Sequence, residues 1–158
     1  MAIKKVSIYD MDGVIVCSLH RYKTQICEDG IERINLKHWR DNSHKAIFDS
    51  LLPLSKQYKA DLLNPECFVI IATARVLGHA DFMFINGTLG KPHYLISRDA
   101  DDTQSGAKLK IKGLQKFFNL KNFQNAEFIM YEDNCPQLKK ICDYFQIKGV
   151  YIPSKQGH

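Results

Sequence analysis

A chain of 158 residues, 45% hydrophobic and 25% charged, is proportioned for one globular domain with a proper core, which excludes a disordered or fibrous segment. Its longest apolar runs, such as Cys67 to Ala72, fall far short of the ~20 residues of a membrane span, and five scattered cysteines without a C-x-x-C pair exclude a disulfide framework or zinc knuckle. The net charge of +5 leans mildly toward an anionic partner, a nucleotide or a nucleic acid.

Met1-Ala2-Ile3-Lys4-Lys5 leads into a short strand and not into a signal-peptide core, so a cytoplasmic protein is expected. The first strand, Lys5–Tyr9, ends on Asp10-Met11-Asp12-Gly13, two carboxylates one residue apart at a turn. An irregular stretch follows, read as a flap or small insert at about 15–63, with candidate helices at Ser43–Leu52 and Leu54–Leu63. The second strand, Cys67–Ala72, runs out into Thr73-Ala74-Arg75, and a helix is expected over Gly78–Asn86. Strand His93–Ile96 precedes a helix at Ala107–Phe118 that carries Lys108, Lys110 and Lys112 in its first turns. Strand Glu127–Tyr131 ends on Glu132-Asp133, helix Pro136–Phe145 begins beside the cap Asn134, and strand Gly149–Ile152 closes the series. Strands alternating with helices predict an α/β domain with a mainly parallel five-stranded sheet, without internal repeats or a dividing linker.

In such a sheet the ligand crevice lies beyond the carboxyl ends of the strands, where an acid pair, a hydroxyl, a lysine and a second acid pair converge here. Each alone has an ordinary explanation: a solvated turn, a helix cap, a solvated helix face. Together they suit a hard divalent cation, which wants oxygen ligands, beside a phosphoryl group that a lysine and a hydroxyl can hold.

In this order the motifs resemble those of the haloacid-dehalogenase (HAD) superfamily of phosphohydrolases over essentially the whole chain: D-x-D-G-V at Asp10, then Thr73, Lys110 and Glu132-Asp133. The resemblance implies a three-layer Rossmann-like fold with minimal or no cap, and a Mg²⁺-dependent phosphatase. It implies Asp10 as nucleophile, Asp12 as proton donor and then base, and Thr73 and Lys110 as phosphate-holding groups. The metal would be held by Asp10, the Asp12 backbone carbonyl and a carboxylate from Glu132 or Asp133. Lys108 competes with Lys110 for the third position, although Leu114 anchors the turn of Lys110. The spacing of Arg21, Arg75 and Arg98 around these motifs is similar to that in the 3′-phosphatase domain of phage polynucleotide kinase/phosphatase, which implies that these guanidiniums contact substrate. Gly106 stands where that domain carries an acid, and no Walker-type phosphate loop is present. The substrate implied is a nucleotide or polynucleotide 3′-phosphate. The alternatives are a small phosphorylated metabolite, or a non-catalytic module that binds nucleic acid.

Overall fold

Lys5–Tyr9 (β1) is a strand whose two sides both meet the core, so Val6 and Ile8 pack on one face and Tyr9 on the other, all fully buried. The computed structural model describes residues 2–154. After β1 the chain makes an excursion: a short strand Val16–Cys17 (β2), a hairpin of Thr24–Ile26 (β3) and Glu32–Ile34 (β4), a helix Leu36–Asp41 (α1) and a strand Ser50–Leu51 (β5). It returns through Ser55–Leu63 (α2), Cys67–Ala72 (β6), His79–Phe84 (α3), Tyr94–Ile96 (β7), Gly106–Leu114 (α4), Glu127–Glu132 (β8), Cys135–Phe145 (α5) and Lys148–Tyr151 (β9).

The central sheet has the order β7-β6-β1-β8-β9 and every pairing in it is parallel. Helices cover both faces. Tyr58 of α2 and Phe84 of α3 pack with Tyr9, while Ala107 and Leu114 of α4 and Leu138 and Ile141 of α5 pack with Val6 and Ile8. This is the expected three-layer α/β architecture. Tyr9 of β1 is level with Ile71 of β6 and Tyr131 of β8. Asp10, Thr73, Glu132 and Asp133 therefore leave the sheet at one edge. No helix among the described residues is long and apolar enough to cross a membrane.

The five central strands lie within about two residues of their expected bounds, and most departures are in the excursion. Instead of a helix over Ser43–Leu52, residues Ser43–Phe48 form a 3₁₀ turn and the chain then extends into β5. The cause is tertiary: Leu51 pairs with Val16 on β2, and Asp49 is drawn inward to meet buried arginines. Within the excursion expected at 15–63, α2 packs on the sheet, with Tyr58 fully buried and its hydroxyl donating to the Gly90 carbonyl at 2.6 Å. The helix expected over Ala107–Phe118 is α-helical only to Leu114 and tightens into a 3₁₀ turn over Gln115–Asn119.

Candidate active site

Asp10 is fixed at the tip of β1 by its own N–H, which donates to the Tyr131 carbonyl at 3.0 Å. Lys110 reaches it from α4, a helix capped by Ser105, whose hydroxyl accepts the Lys108 N–H. The Lys110 Nζ donates to Asp10 Oδ1 at 3.1 Å and to Glu132 Oε2 at 2.6 Å, with 1% of the residue exposed. Lys108 is exposed, so of the two candidate lysines it is Lys110 that the fold brings to the acids. Glu132 spends its other oxygen, Oε1, on the backbone N–H groups of Asp133 (3.1 Å) and Asn134 (3.2 Å). It braces the lysine and its own turn.

Asp133 is different. Its Oδ2 is buried without a hydrogen bond of good geometry among the described residues, although the Ser154 hydroxyl is near enough to draw the carboxyl's pKa down. Carboxylate oxygens of Asp10, Glu132 and Asp133 lie within 4.8 Å of one another. A hard, all-oxygen donor set with one orphaned buried oxygen fits Mg²⁺. With Glu132 engaged by three donors, Asp133 is the carboxylate left to coordinate.

Burial makes the ionised forms of these acids costly. Burial raises the Asp10 carboxyl to about 7, against the pull of Lys110, with the Glu132 and Asp12 charges adding to the rise. Burial likewise raises Asp133 to about 6, helped by Asp10. Burial pulls the Lys110 ammonium down, but Asp10 and Glu132 outweigh it and leave its pKa raised. A carboxyl whose folded pKa exceeds its unfolded value of about 4 favours the fold while protonated, and that contribution is lost as pH rises toward the folded value. Metal-free stability should therefore fall between about pH 4 and 7, and Mg²⁺, which binds the ionised acids, should raise the melting temperature more at pH 8 than at pH 5. Thermal unfolding with and without Mg²⁺ checks this; equal shifts at both pH values would contradict it.

Thr73 is buried, with its N–H donating to the Ile96 carbonyl and its Oγ1 accepting the Arg75 N–H at 3.2 Å, which leaves the hydroxyl proton to donate. Asp12 is held through Oδ1, which accepts from Ser18 Oγ and from Arg75 Nη2, both at 2.9 Å. Gly13 makes the turn between these acids and the excursion, at φ +79. A Cβ there would stand 2.3 Å from Asp133 Oδ2 and 2.4 Å from Ser154 Oγ. Gly13→Ala should cost at least about 1 kcal/mol from the left-handed backbone alone and displace Asp133 as well. Chemical denaturation, and loss of the Mg²⁺-induced thermal shift, would report the two effects.

The three arginines expected to contact substrate are all held by partners within the fold. Arg21 is 2% exposed, and its fork pairs with Asp49 through Nε and Nη2, each at 3.0 Å. Arg75 divides its fork among Asp81 (2.7 Å), Asp12 (2.9 Å) and Asp49 (3.3 Å). Arg98 donates to the backbone carbonyls of Ala74 (2.7 Å) and Gln104 (2.6 Å) and so clasps the loop before α4. Buried guanidiniums need paired acids, and Asp49 and Asp81 supply them. These two carboxylates carry no local motif, so sequence reasoning missed them. The network joins the excursion, through Arg21 and Asp49, to the orientation of Asp12.

A cleft of about 200 Å³ opens over this constellation. Its polar floor is Asp10, Asp12, Thr73, Arg75, Lys110, Glu132 and Asp133. Tyr22, Ile34, Leu36 and Trp39 from the excursion make an apolar wall. Arg21 does not line it.

Comparison with known proteins gives the following likenesses. The family described as bacteriophage T5 5′-deoxynucleotidase matches residues 1–142. The 5′-deoxynucleotidase of Escherichia phage T5 is 30% identical over 86 residues, 52% of this chain and 34% of that enzyme. The match thus spans about a third of the relative's length. Among solved structures, the HAD domain of the effector protein Lem4 from Legionella pneumophila has a TM-score of 0.60 at 13% identity, covering 98% of this chain and 89% of that one. A haloacid dehalogenase-like hydrolase from Streptococcus pneumoniae gives 0.60 at 12% identity over 96% and 88%. The Pnkp1/Rnl/Hen1 RNA repair complex gives 0.60 at 15% over 98% of this chain and 44% of that chain. At these identities the likeness shows the fold, which is the HAD hydrolase fold.

Proposed function

The chain belongs to the bacteriophage T5 5′-deoxynucleotidase family, and from that premise we propose that it is a Mg²⁺-dependent phosphatase of deoxynucleoside 5′-monophosphates. One observation carries the chemistry: a buried lysine clamped between Asp10 and Glu132, beside an Asp133 whose Oδ2 makes no hydrogen bond of good geometry among the described residues. Burying the carboxyls of Asp10, Glu132 and Asp133 around one ammonium leaves negative charge uncompensated, and a cation with a phosphate completes the set.

Asp10 attacks phosphorus in line, forming an aspartyl-phosphate as the ester P–O bond breaks. Asp12, oriented by Arg75 and Ser18, protonates the departing 5′-oxygen. Asp12 then takes a proton from the water that attacks the aspartyl-phosphate, which releases inorganic phosphate and restores Asp10. Lys110 neutralises charge on Asp10 and on the phosphoryl oxygens, and Thr73 donates to one of them. Asp10, Asp133 and the Asp12 carbonyl would hold the Mg²⁺, which supplies charge neutralisation for nucleophile and phosphate when bound.

The family moves the proposed bond from the 3′-phosphate suggested by motif spacing to the 5′-phosphate of a deoxynucleotide. The test is a panel of substrates with Mg²⁺: deoxynucleoside and ribonucleoside 5′-monophosphates, a 3′-phosphorylated oligonucleotide and small sugar phosphates. The deoxynucleoside 5′-monophosphates should give the highest kcat/KM. Turnover of the 3′-phosphorylated oligonucleotide or of sugar phosphates, with the 5′-nucleotides left intact, would overturn the assignment.

A further inference from the structure

The 200 Å³ cleft lies below the range of about 300–1,000 Å³ typical of sites that enclose a small organic ligand, so it has room for a phosphoryl group and little of what the phosphoryl group is attached to. A second depression of about 840 Å³ adjoins it, and Leu36, Trp39, Ala74 and Arg75 belong to both. From α1 into the following turn, Leu36, Trp39, Arg40 and Ser43 recur at spacings of three, four and seven, one helical face turned to this groove. The opposite wall is the loop that Arg98 clasps through the Ala74 and Gln104 carbonyls.

Two features of the α1 wall point to a flat, partly apolar occupant. Leu36 is 57% exposed although it lies in a groove, so apolar surface is left there uncovered. Trp39 is partly buried and fixed by two cations, the Arg21 guanidinium 4.2 Å and that of Arg75 5.1 Å from its ring centroid. Both cations are themselves pinned by Asp49 and Asp81. An aromatic ring fixed before binding loses little freedom when a second ring packs on it. At the rim, the Arg40 guanidinium has no ion pair among the described residues, and the Ser43 hydroxyl and the Gln104 Oε1 can meet a base edge, the Gln104 Nε2 being spent on Asp102 at 2.6 Å.

We propose that this groove seats the nucleobase of the substrate and that Trp39, with Leu36, is the residue that selects nucleotides over phosphomonoesters lacking a base. The proposal rests on the phosphatase reading above, and its test separates the two. Trp39 is the sole tryptophan. In the Asp10→Asn variant without added Mg²⁺, a deoxynucleoside 5′-monophosphate should change its emission saturably, whereas deoxyribose 5-phosphate and inorganic phosphate should leave it nearly unchanged. In the catalytic protein, Trp39→Ala should lower the ratio of kcat/KM for the nucleotide to that for deoxyribose 5-phosphate by roughly 10- to 100-fold, and Trp39→Phe should restore much of it. An unchanged ratio, or equal losses on both substrates, would overturn the proposal and leave Trp39 as packing for the arginines. If the wild type cleaves neither substrate, the phosphatase reading fails, and the fluorescence titration still decides whether a base binds beside Trp39.

Discussion

Asp10→Asn is expected to abolish Mg²⁺-dependent phosphate release, by a factor of at least about 10³, while raising metal-free thermal stability at pH 8. The two effects have one origin. Asp10 lies in a buried cluster with Glu132 and Asp133, and burial holds its carboxyl up at about 7, so the ionised form is unfavourable in the metal-free fold. Asparagine keeps an acceptor for the Lys110 ammonium at nearly the same volume and removes the charge. It also removes the nucleophile and a proposed Mg²⁺ ligand, so the Mg²⁺-induced thermal shift should vanish with activity. Activity within tenfold of wild type would end the assignment of Asp10 as nucleophile. Lower metal-free stability would end the account of electrostatic stress in the cluster.

Lys110→Met should have the opposite effect on stability and the same effect on activity. The ammonium stands 3.1 Å from Asp10 and 2.6 Å from Glu132, with almost no solvent contact. Removing it leaves two acids facing each other in the interior, a change of about 3–5 kcal/mol for a buried pair that loses one partner. Since the strain comes from ionised carboxyls, the destabilisation should be largest near pH 8 and shrink toward pH 5 as Asp10 becomes protonated. Urea unfolding at the two pH values measures this. A uniform loss across pH would mean that Lys110 acts through packing, and no loss would contradict its placement.

The fold was legible in the sequence where the chain is locally consistent. β1, β6 and β8 are runs of β-branched and aromatic residues with polar residues at their carboxyl ends, so both the strands and the tips that carry Asp10, Thr73 and Glu132-Asp133 could be read from pattern. Lys110 was readable because Leu114 anchors its face of α4. The excursion was not, because its conformation is decided at a distance. Ser43–Phe48 has the composition of a helix, but the pull of Asp49 toward Arg21 and of Leu51 toward Val16 ends it. The arginines illustrate the same limit. Their spacing matched a phosphate-binding pattern, yet their partners Asp49 and Asp81 stand 28 residues from Arg21 and six from Arg75 without any motif to mark them. Trp39 carried no signal as a wall of the site until α1 was folded over the sheet edge.

The excursion therefore has two parts in this account. Arg21 and Asp49 tie it to Arg75, which orients Asp12, while Trp39 and Leu36 shape the space beyond the phosphate.

Passage of the phosphoryl group through Asp10 can be followed by acid-quenched turnover of a deoxynucleoside 5′-monophosphate carrying a radiolabelled phosphate, in Mg²⁺. Label should appear on the protein during turnover, map to the peptide that contains Asp10, and be absent from Asp10→Asn. Release of labelled phosphate with no protein-bound label at any time, or label on another residue, would exclude Asp10 as the nucleophile.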